Sequence, residues 1–242
     1  MTTDAVQYRL QDRVATIRID DGKRNALSPQ ILGGIYTAFD RAQADGAIVI
    51  ITGRESVFSA GFDLHVMRRG GRDALRMLRL GYALPARILA YPHPVIVACN
   101  GHSFAMGVFL MLAADYVIGS RGDFKIAANE VAIGLTMPRI AAAMLRHRLN
   151  ASCFQRAVTL AEHFDVEAAL RAGFFDEVVD AAGLMARAEA LARQYGELDL
   201  RAHTASKRRI RAALVRKIRI SVWLDLLDAV LLGLRGRRTQ KR

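Results

Sequence analysis

Three stretches of this chain carry the residue types needed for chemistry next to a carbonyl group. The first is Val57-Phe58-Ser59-Ala60-Gly61-Phe62-Asp63-Leu64, and the second is Val95-Ile96-Val97-Ala98-Cys99-Asn100-Gly101-His102-Ser103-Phe104-Ala105-Met106-Gly107, with Asp115 beyond it. Both run from an apolar, strand-like segment into a loop of small residues. Such loops let backbone N–H groups approach a ligand closely. The second also opens an apolar helix, whose first N–H groups lack partners inside the helix and carry partial positive charge. Two such N–H groups aimed at one carbonyl oxygen would stabilise an enolate. The third stretch, residues 124–134, sets Glu130 among apolar neighbours. A carboxyl group in a dry site holds its proton more tightly and suits proton shuttling near neutral pH. An ordinary fold explains the same features: small residues are common at strand ends, and Glu130 equally serves to cap a helix or face solvent.

The elements that would hold these stretches are legible from periodicity. Residues 6–10 and 14–19 read as a β-hairpin. Ser28-Pro29 is an N-cap followed by proline at the first helical position, opening a helix over 30–44. Continuous apolar runs at 47–52 and 95–98 read as strands buried on both faces. Residues 53–61 read as a loop, 72–90 as a second helix, 105–114 as a third helix and 116–119 as a third buried strand. Strands alternating with helices predict α/β layering. The second half reads as helices at 138–148, 151–160, 166–172 and 183–195, with a short strand at 177–179. From Ala202 onward apolar residues recur at helical spacing. The composition changes at 196–199, dividing the chain into a body, 1–195, and a C-terminal helical region, 196–242.

Charge sharpens that division. The 242 residues carry a formal charge of +12, yet residues 201–242 alone hold 13 basic and 2 acidic side chains. This asymmetry points either to an anionic partner or to a solvated arginine-rich helix face. Trp223 is the only aromatic residue there, and no helix-turn-helix or finger pattern is present, so a nucleic-acid partner is not expected. The two cysteines, Cys99 and Cys153, form no metal-ligand spacing, so no metal site is expected. The first residues lack a secretory pattern, and the apolar stretch 222–234 is interrupted by Asp225 and Asp228. A cytoplasmic protein without a transmembrane segment is the expectation.

Taken in order and spacing, the motifs resemble the enoyl-CoA hydratase/isomerase, or crotonase, family. Arg24-Asn25-Ala26-Leu27-Ser28 is similar to that family's xNAL(S/T) turn, and Ser59-Ala60-Gly61-Phe62-Asp63-Leu64 to its SAGxDL loop. Asn100-Gly101 through Gly107 resembles its NGxxxGGG element, and residues 168–179 its AxxxGLVDxV segment. The resemblance implies a spiral of repeated ββα units with a C-terminal helical oligomerisation region, assembled as trimers or hexamers. It implies an acyl-CoA thioester substrate and no cofactor beyond the coenzyme A of that substrate. By position, it implies an oxyanion hole from the backbone N–H groups of Ala60 and Met106. It further implies coenzyme A contacts at Lys23, Arg24, Ala26, Ala60, Gly61, Phe62, Asp63 and Leu64, with Gly107 and Phe109 beside the acyl group. A C-terminal helix reaches the nucleotide in some members, which makes Lys207, Arg208 and Arg211 candidate phosphate contacts.

Two departures bear on the reaction. The hydratase branch uses two glutamates; the first falls at Phe109, which cannot activate water, and the second at Glu130. Ala128-Asn129-Glu130 through Gly134 is similar to a segment of Δ3,Δ2-enoyl-CoA isomerases, which also lack the first glutamate. The reading is therefore an isomerase with Glu130 as proton shuttle. A 2-enoyl-CoA hydratase and a non-catalytic acyl-CoA binder are the alternatives. The second departure is Ala105-Met106-Gly107 in place of three glycines. If the second of these positions needs a positive φ, Met106 is strained; if not, it still donates, and its side chain shapes the acyl tunnel. Of the remaining polar residues, His102 is read as structural or pocket-lining, Asp63 as a loop anchor, Asp115 as structural and Cys99 as a core thiol.

Overall fold

The computed structural model describes residues 5–239, with side chains described as far as residue 231. Strand β1 (Val6–Gln11) pairs antiparallel with β2 (Val14–Ile19), forming the expected hairpin. A short β3 (Ala26–Leu27) leads into α1 (Pro29–Ala44), where Ser28 Oγ accepts the Ile31 amide at 3.3 Å. Then come β4 (Ile48–Thr52), β5 (Ser56–Ser59), β6 (Gly61–Phe62), α2 (Leu64–Arg69) and α3 (Gly71–Leu89). The next turn is β7 (Val95–Cys99), β8 (Gly101–Phe104) and α4 (Met106–Leu112); the one after is β9 (Tyr116–Ser120) and β10 (Ile126–Ala127). Helices α5 (Arg139–Arg148), α6 (Ala151–Thr159) and α7 (Val166–Ala172) follow, then β11 (Glu177–Val179), α8 (Leu184–Gly196) and α9 (Leu200–Thr239).

These elements build the expected α/β spiral. The main sheet has the order β1-β2-β4-β7-β9-β11 and is parallel from β2 onward. Each central strand feeds a short strand of a second sheet, ordered β10-β8-β5, before the chain turns into a helix. A third, two-stranded sheet joins β3 to β6. The central strands are mostly apolar and almost wholly buried because both faces are covered. One face carries the main core, with Phe39, Leu84 and Val97; the other carries Ile50, Ile96 and Ile118 under Leu184 and Leu191 of α8.

The second sheet is where the structure departs from the sequence reading. Residues 53–61, read as a loop, hold β5 and the start of β6, and the turn at Asn100-Gly101 enters β8 directly. Strands of two to four residues show no alternation of their own. They exist because consecutive turns of the spiral lie side by side and pair. Gly101 permits this closeness: a Cβ there would sit 1.9 Å from the Ser56 carbonyl carbon.

Helix α9 lies against α3 and α5, and Val215, Ile218 and Val222 enter the main core. Its docking is electrostatic as well as apolar. Lys207 Nζ donates to the Asp115 carboxylate at 2.5 Å and to the His93 carbonyl at 3.0 Å, and Arg211 lies 2.9 Å from the other Asp115 oxygen. Asp115 also accepts the Val95 amide at 2.7 Å. Lys207 and Arg211 are buried by this clamp, so they do not serve as the free phosphate contacts expected of them; Arg208 remains exposed on α9.

Candidate active site

The first loop is held by two polar side chains, half-buried Asp21 and buried Asn25. The Asp21 carboxylate accepts the amides of Lys23, Asn25 and Ala26 at 2.7, 2.9 and 3.1 Å. Asn25, with φ +52° and no exposure, donates to the carbonyls of Ile19, Val57 and Phe58. Those bonds and the β3–β6 pairing bring the 23–26 turn against the 60–64 loop, with Ala26 opposite Gly61. Asp63 anchors its end of that loop, accepting the amides of His65 at 2.8 Å and Val66 at 3.2 Å to cap α2, on which Leu64 is the first, exposed residue. Asn25 is a positioning residue that the sequence reading does not name as part of the site; its match to the N of the xNAL(S/T) turn is the signal that could have found it.

The two loops expected to form the oxyanion hole touch. A Cβ on Gly61 would lie 2.9 Å from Ala105 Cβ and 3.3 Å from the Met106 nitrogen, and one on Gly107 would lie 2.7 Å from Ser59 Cβ. Both glycines are therefore required by close backbone approach. The unusual backbone falls at Ala105, with φ +49° and ψ −123°, not at Met106. Met106 begins α4 without a side-chain cap, so its amide is one of the unpaired first-turn donors. The strain of order 1–3 kcal/mol sits one residue earlier. Met106 itself is buried in the main core and is not part of the cavity wall described below, so it does not shape an acyl tunnel there.

Ala60 is corrected by its bonding. Its amide donates to the Arg24 carbonyl at 3.0 Å, and the next amide, of Gly61, donates to Ser59 Oγ at 3.1 Å. The Asp63 amide is turned toward Leu27 O, 3.4 Å away in the β3–β6 pairing. Backbone groups alternate along a strand. The Phe62 amide therefore points to the opposite edge of this two-stranded sheet, which no third strand among the described residues covers. Phe62, and not Ala60, presents the open donor of this loop.

Glu130 follows β10 and stands at the entry of a single 3-10 turn, Val131–Ile133. Its carbonyl accepts the amides of Ile133 and Leu135 at 3.1 and 2.9 Å, and Gly134 at φ +78° closes the turn. This fixes the backbone and leaves the side chain to a cavity of about 440 Å³ whose wall includes Phe62, Tyr82, Phe109, Met137 and Asp225. Glu130 is 6% exposed, and its Oε2 has no hydrogen-bond partner among the described residues. Burial pushes its pKa up to about 7, with only its own backbone amide acting the other way. Phe109, at the position of the missing glutamate, is fully enclosed in the same wall. Two larger grooves, of about 760 and 630 Å³, contain none of these residues.

Two further carboxyl groups, Asp225 and Asp228 of α9, border the Glu130 cavity but are already engaged. Asp225 accepts the amides of Arg139 and Ile140, both at 3.0 Å, and Arg139 Nη1 at 3.1 Å. Asp228 accepts Arg139 Nη1 at 2.5 Å. His102 is structural: its Nδ1 accepts the Lys125 amide at 2.9 Å, and its ring packs against Phe104 and Phe124. Cys99 is a buried thiol, raised by burial to about 12. Among the described residues no cluster has the composition of a metal site, and no helix is long and apolar enough to cross a membrane.

Comparison with known proteins places this fold and site. The sequence profile of the enoyl-CoA hydratase/isomerase family matches residues 9–221. The chain belongs to that family, and its fold is the crotonase fold. It is 42% identical to the Mycobacterium tuberculosis enoyl-CoA isomerase in its apo structure, with a TM-score of 0.86, covering 90% of this chain and 96% of that one. Another structure of the same mycobacterial protein, described as a probable enoyl-CoA hydratase, gives 40% identity and a TM-score of 0.90 over 98% and 99% of the two chains. A probable enoyl-CoA hydratase of Mycobacterium avium is 32% identical over 185 residues, 75% of this chain and 72% of that protein.

Proposed function

We propose that this protein isomerises 3-enoyl-CoA thioesters to 2-enoyl-CoA, with Glu130 as the proton shuttle. One observation carries the choice: Glu130 is the carboxyl group in the cavity with an oxygen unpartnered, while Asp225 and Asp228 are bound to Arg139 and the start of α5. An allylic shift needs one acid/base group. Ionised Glu130 takes a proton from C2 of the acyl chain, and the electron pair moves onto the thioester oxygen. The amides of Phe62 and Met106 hold that enolate. The carboxylic acid then returns the proton at C4 as the double bond forms between C2 and C3. A pKa of about 7 suits both halves of the cycle, because the group neither holds nor releases its proton too strongly.

The Lys23–Ala26 turn, in which Lys23 and Arg24 are exposed, and the 60–64 loop receive the coenzyme A portion, and the substrate supplies the only cofactor chemistry. The hydratase reading is favoured by the description of the Mycobacterium avium relative. It requires a second group to activate water, and Phe109 supplies none. The Glu130→Gln variant tests the assignment. Isomerisation is expected to fall by about 10²- to 10⁴-fold while acyl-CoA affinity is retained. Undiminished turnover would remove Glu130 from the mechanism, and wild-type binding without turnover on either enoyl ester would favour the non-catalytic binder.

A further inference from the structure

The opening of the Glu130 cavity has an apolar rim beside a row of arginines. Leu135 both lines the cavity and stands exposed, so the turn over residues 131–136 borders the opening. Helices α2 and α3 form another part of the wall, through Met67, Leu78 and Tyr82. Leu64 lies three residues before Met67 and Leu75 three before Leu78, on the same sides of their helices. Leu64, Leu75, Val131, Ile133 and Leu135 are each between 40% and 50% exposed. Single exposed aliphatic residues are ordinary, but a group of them around one opening marks an interaction surface.

Charge defines what that surface meets. Residues 64–89 hold six arginines against one acidic residue, Asp73. Arg72, Arg76 and Arg79 recur at helical spacing along α3, and Arg68 and Arg69 end α2. All five are exposed, and none is paired with a carboxylate among the described residues. Leu75 stands between the cavity-lining Leu78 and Tyr82 and this arginine row, because it is three residues before Leu78 and four before Arg79. Apolar side chains bordered by cations suit the boundary between acyl chains and anionic headgroups. Pairing of this face with its own copy would set one arginine row against another.

We propose that this rim docks the protein on an anionic lipid surface, from which the cavity takes long acyl chains. The second clause rests on the acyl-CoA reading of the cavity. A long-chain thioester is itself held in a bilayer, about fourfold more tightly for each added CH₂. A cavity that opens onto the lipid would receive the chain without its passing through water.

The test is sedimentation of the full chain, without substrate, with two kinds of vesicle: phosphatidylcholine alone, and phosphatidylcholine with about one third phosphatidylglycerol. Wild-type protein is expected to bind the anionic vesicles about tenfold or more tightly than the neutral ones, and to lose that advantage in high salt. The double change Arg72→Gln/Arg76→Gln is expected to weaken anionic binding by about tenfold or more, and Ile133→Ser by about threefold or more. These side chains are exposed, and unchanged circular dichroism verifies that the variants fold. Equal binding to both vesicles, or none to either, overturns the proposal. So does anionic binding that persists in both variants, which would assign it to another surface such as the basic part of α9. A wild type that ignores vesicles, with an assembly that Ile133→Ser dissociates in light scattering, would show a second copy on the rim and overturn it too. Failure of the acyl-CoA reading is visible separately, as absent turnover of thioesters by a protein that still binds vesicles; the acyl-uptake clause falls with it.

Discussion

At the scale of single residues, Glu130 sets two measurable properties with one pKa. Its carboxyl titrates near 4.5 in an unfolded chain and about 7 in the folded protein. The folded state thus holds the proton more tightly, so the charged form costs stability that grows as pH rises from about 4.5 to about 7 and then stays constant. Glu130→Gln is neutral at every pH and is expected to gain on the wild type across that window, by up to about 3 kcal/mol. Chemical denaturation of both proteins at pH 4 and pH 8 checks it; equal differences at the two values would mean that Glu130 is solvated. Catalysis runs the other way, since the base must be ionised. kcat/KM is expected to fall as pH drops through about 7, and a profile flat to pH 5 would rule Glu130 out as the base.

At the scale of elements, Asp225 does for α5 what an N-cap normally does locally. Pro138 precedes α5 and makes no side-chain cap, so the first amides of the helix are met from α9 instead. Asp225→Ala leaves two amides without an acceptor in a partly buried place and is expected to cost about 1–3 kcal/mol. Asp228→Ala, on the exposed side of the same arginine, is expected to cost under about 1 kcal/mol. Urea midpoints of the two variants compare them directly, and equal losses would contradict the capping role. This cap also marks a limit of sequence reading. The main strands and most helices were legible because periodicity and N-caps such as Ser28-Pro29 are local signals. Helix α5 starts without one, and β5, β6 and β8 are too short to show a pattern. Glu130 and its apolar setting were legible for the same local reason, as was the glycine at Gly107. The bonding of the Ala60 amide to Arg24, and the capture of Lys207 and Arg211 by Asp115, depend on contacts between distant segments.

At the scale of the whole molecule, α9 is both a wall of the Glu130 cavity and an exposed apolar surface. Its 40 residues extend about 60 Å. Asp225 and Ala229 close the Glu130 cavity, while Ile210, Ile220, Trp223 and Leu227 are each more than half exposed. An apolar face of this kind fits the trimer or hexamer that the family resemblance implies. Trp223 is the chain's only tryptophan, so its emission reports on that face alone. Light scattering is expected to give an assembly, with Trp223 emitting as a buried indole, and Ile220→Asp is expected to shift the emission to that of an exposed one. A wild-type monomer with exposed emission would contradict the assembly. The central claim, that one carboxyl group carries the reaction, is tested most directly by turnover on a 3-enoyl-CoA and a 2-enoyl-CoA of equal chain length. The account predicts rapid conversion of the 3-enoyl ester and no addition of water to the 2-enoyl ester. Efficient hydration of the 2-enoyl ester would contradict it, because a second, water-activating group would then be at work beside Glu130.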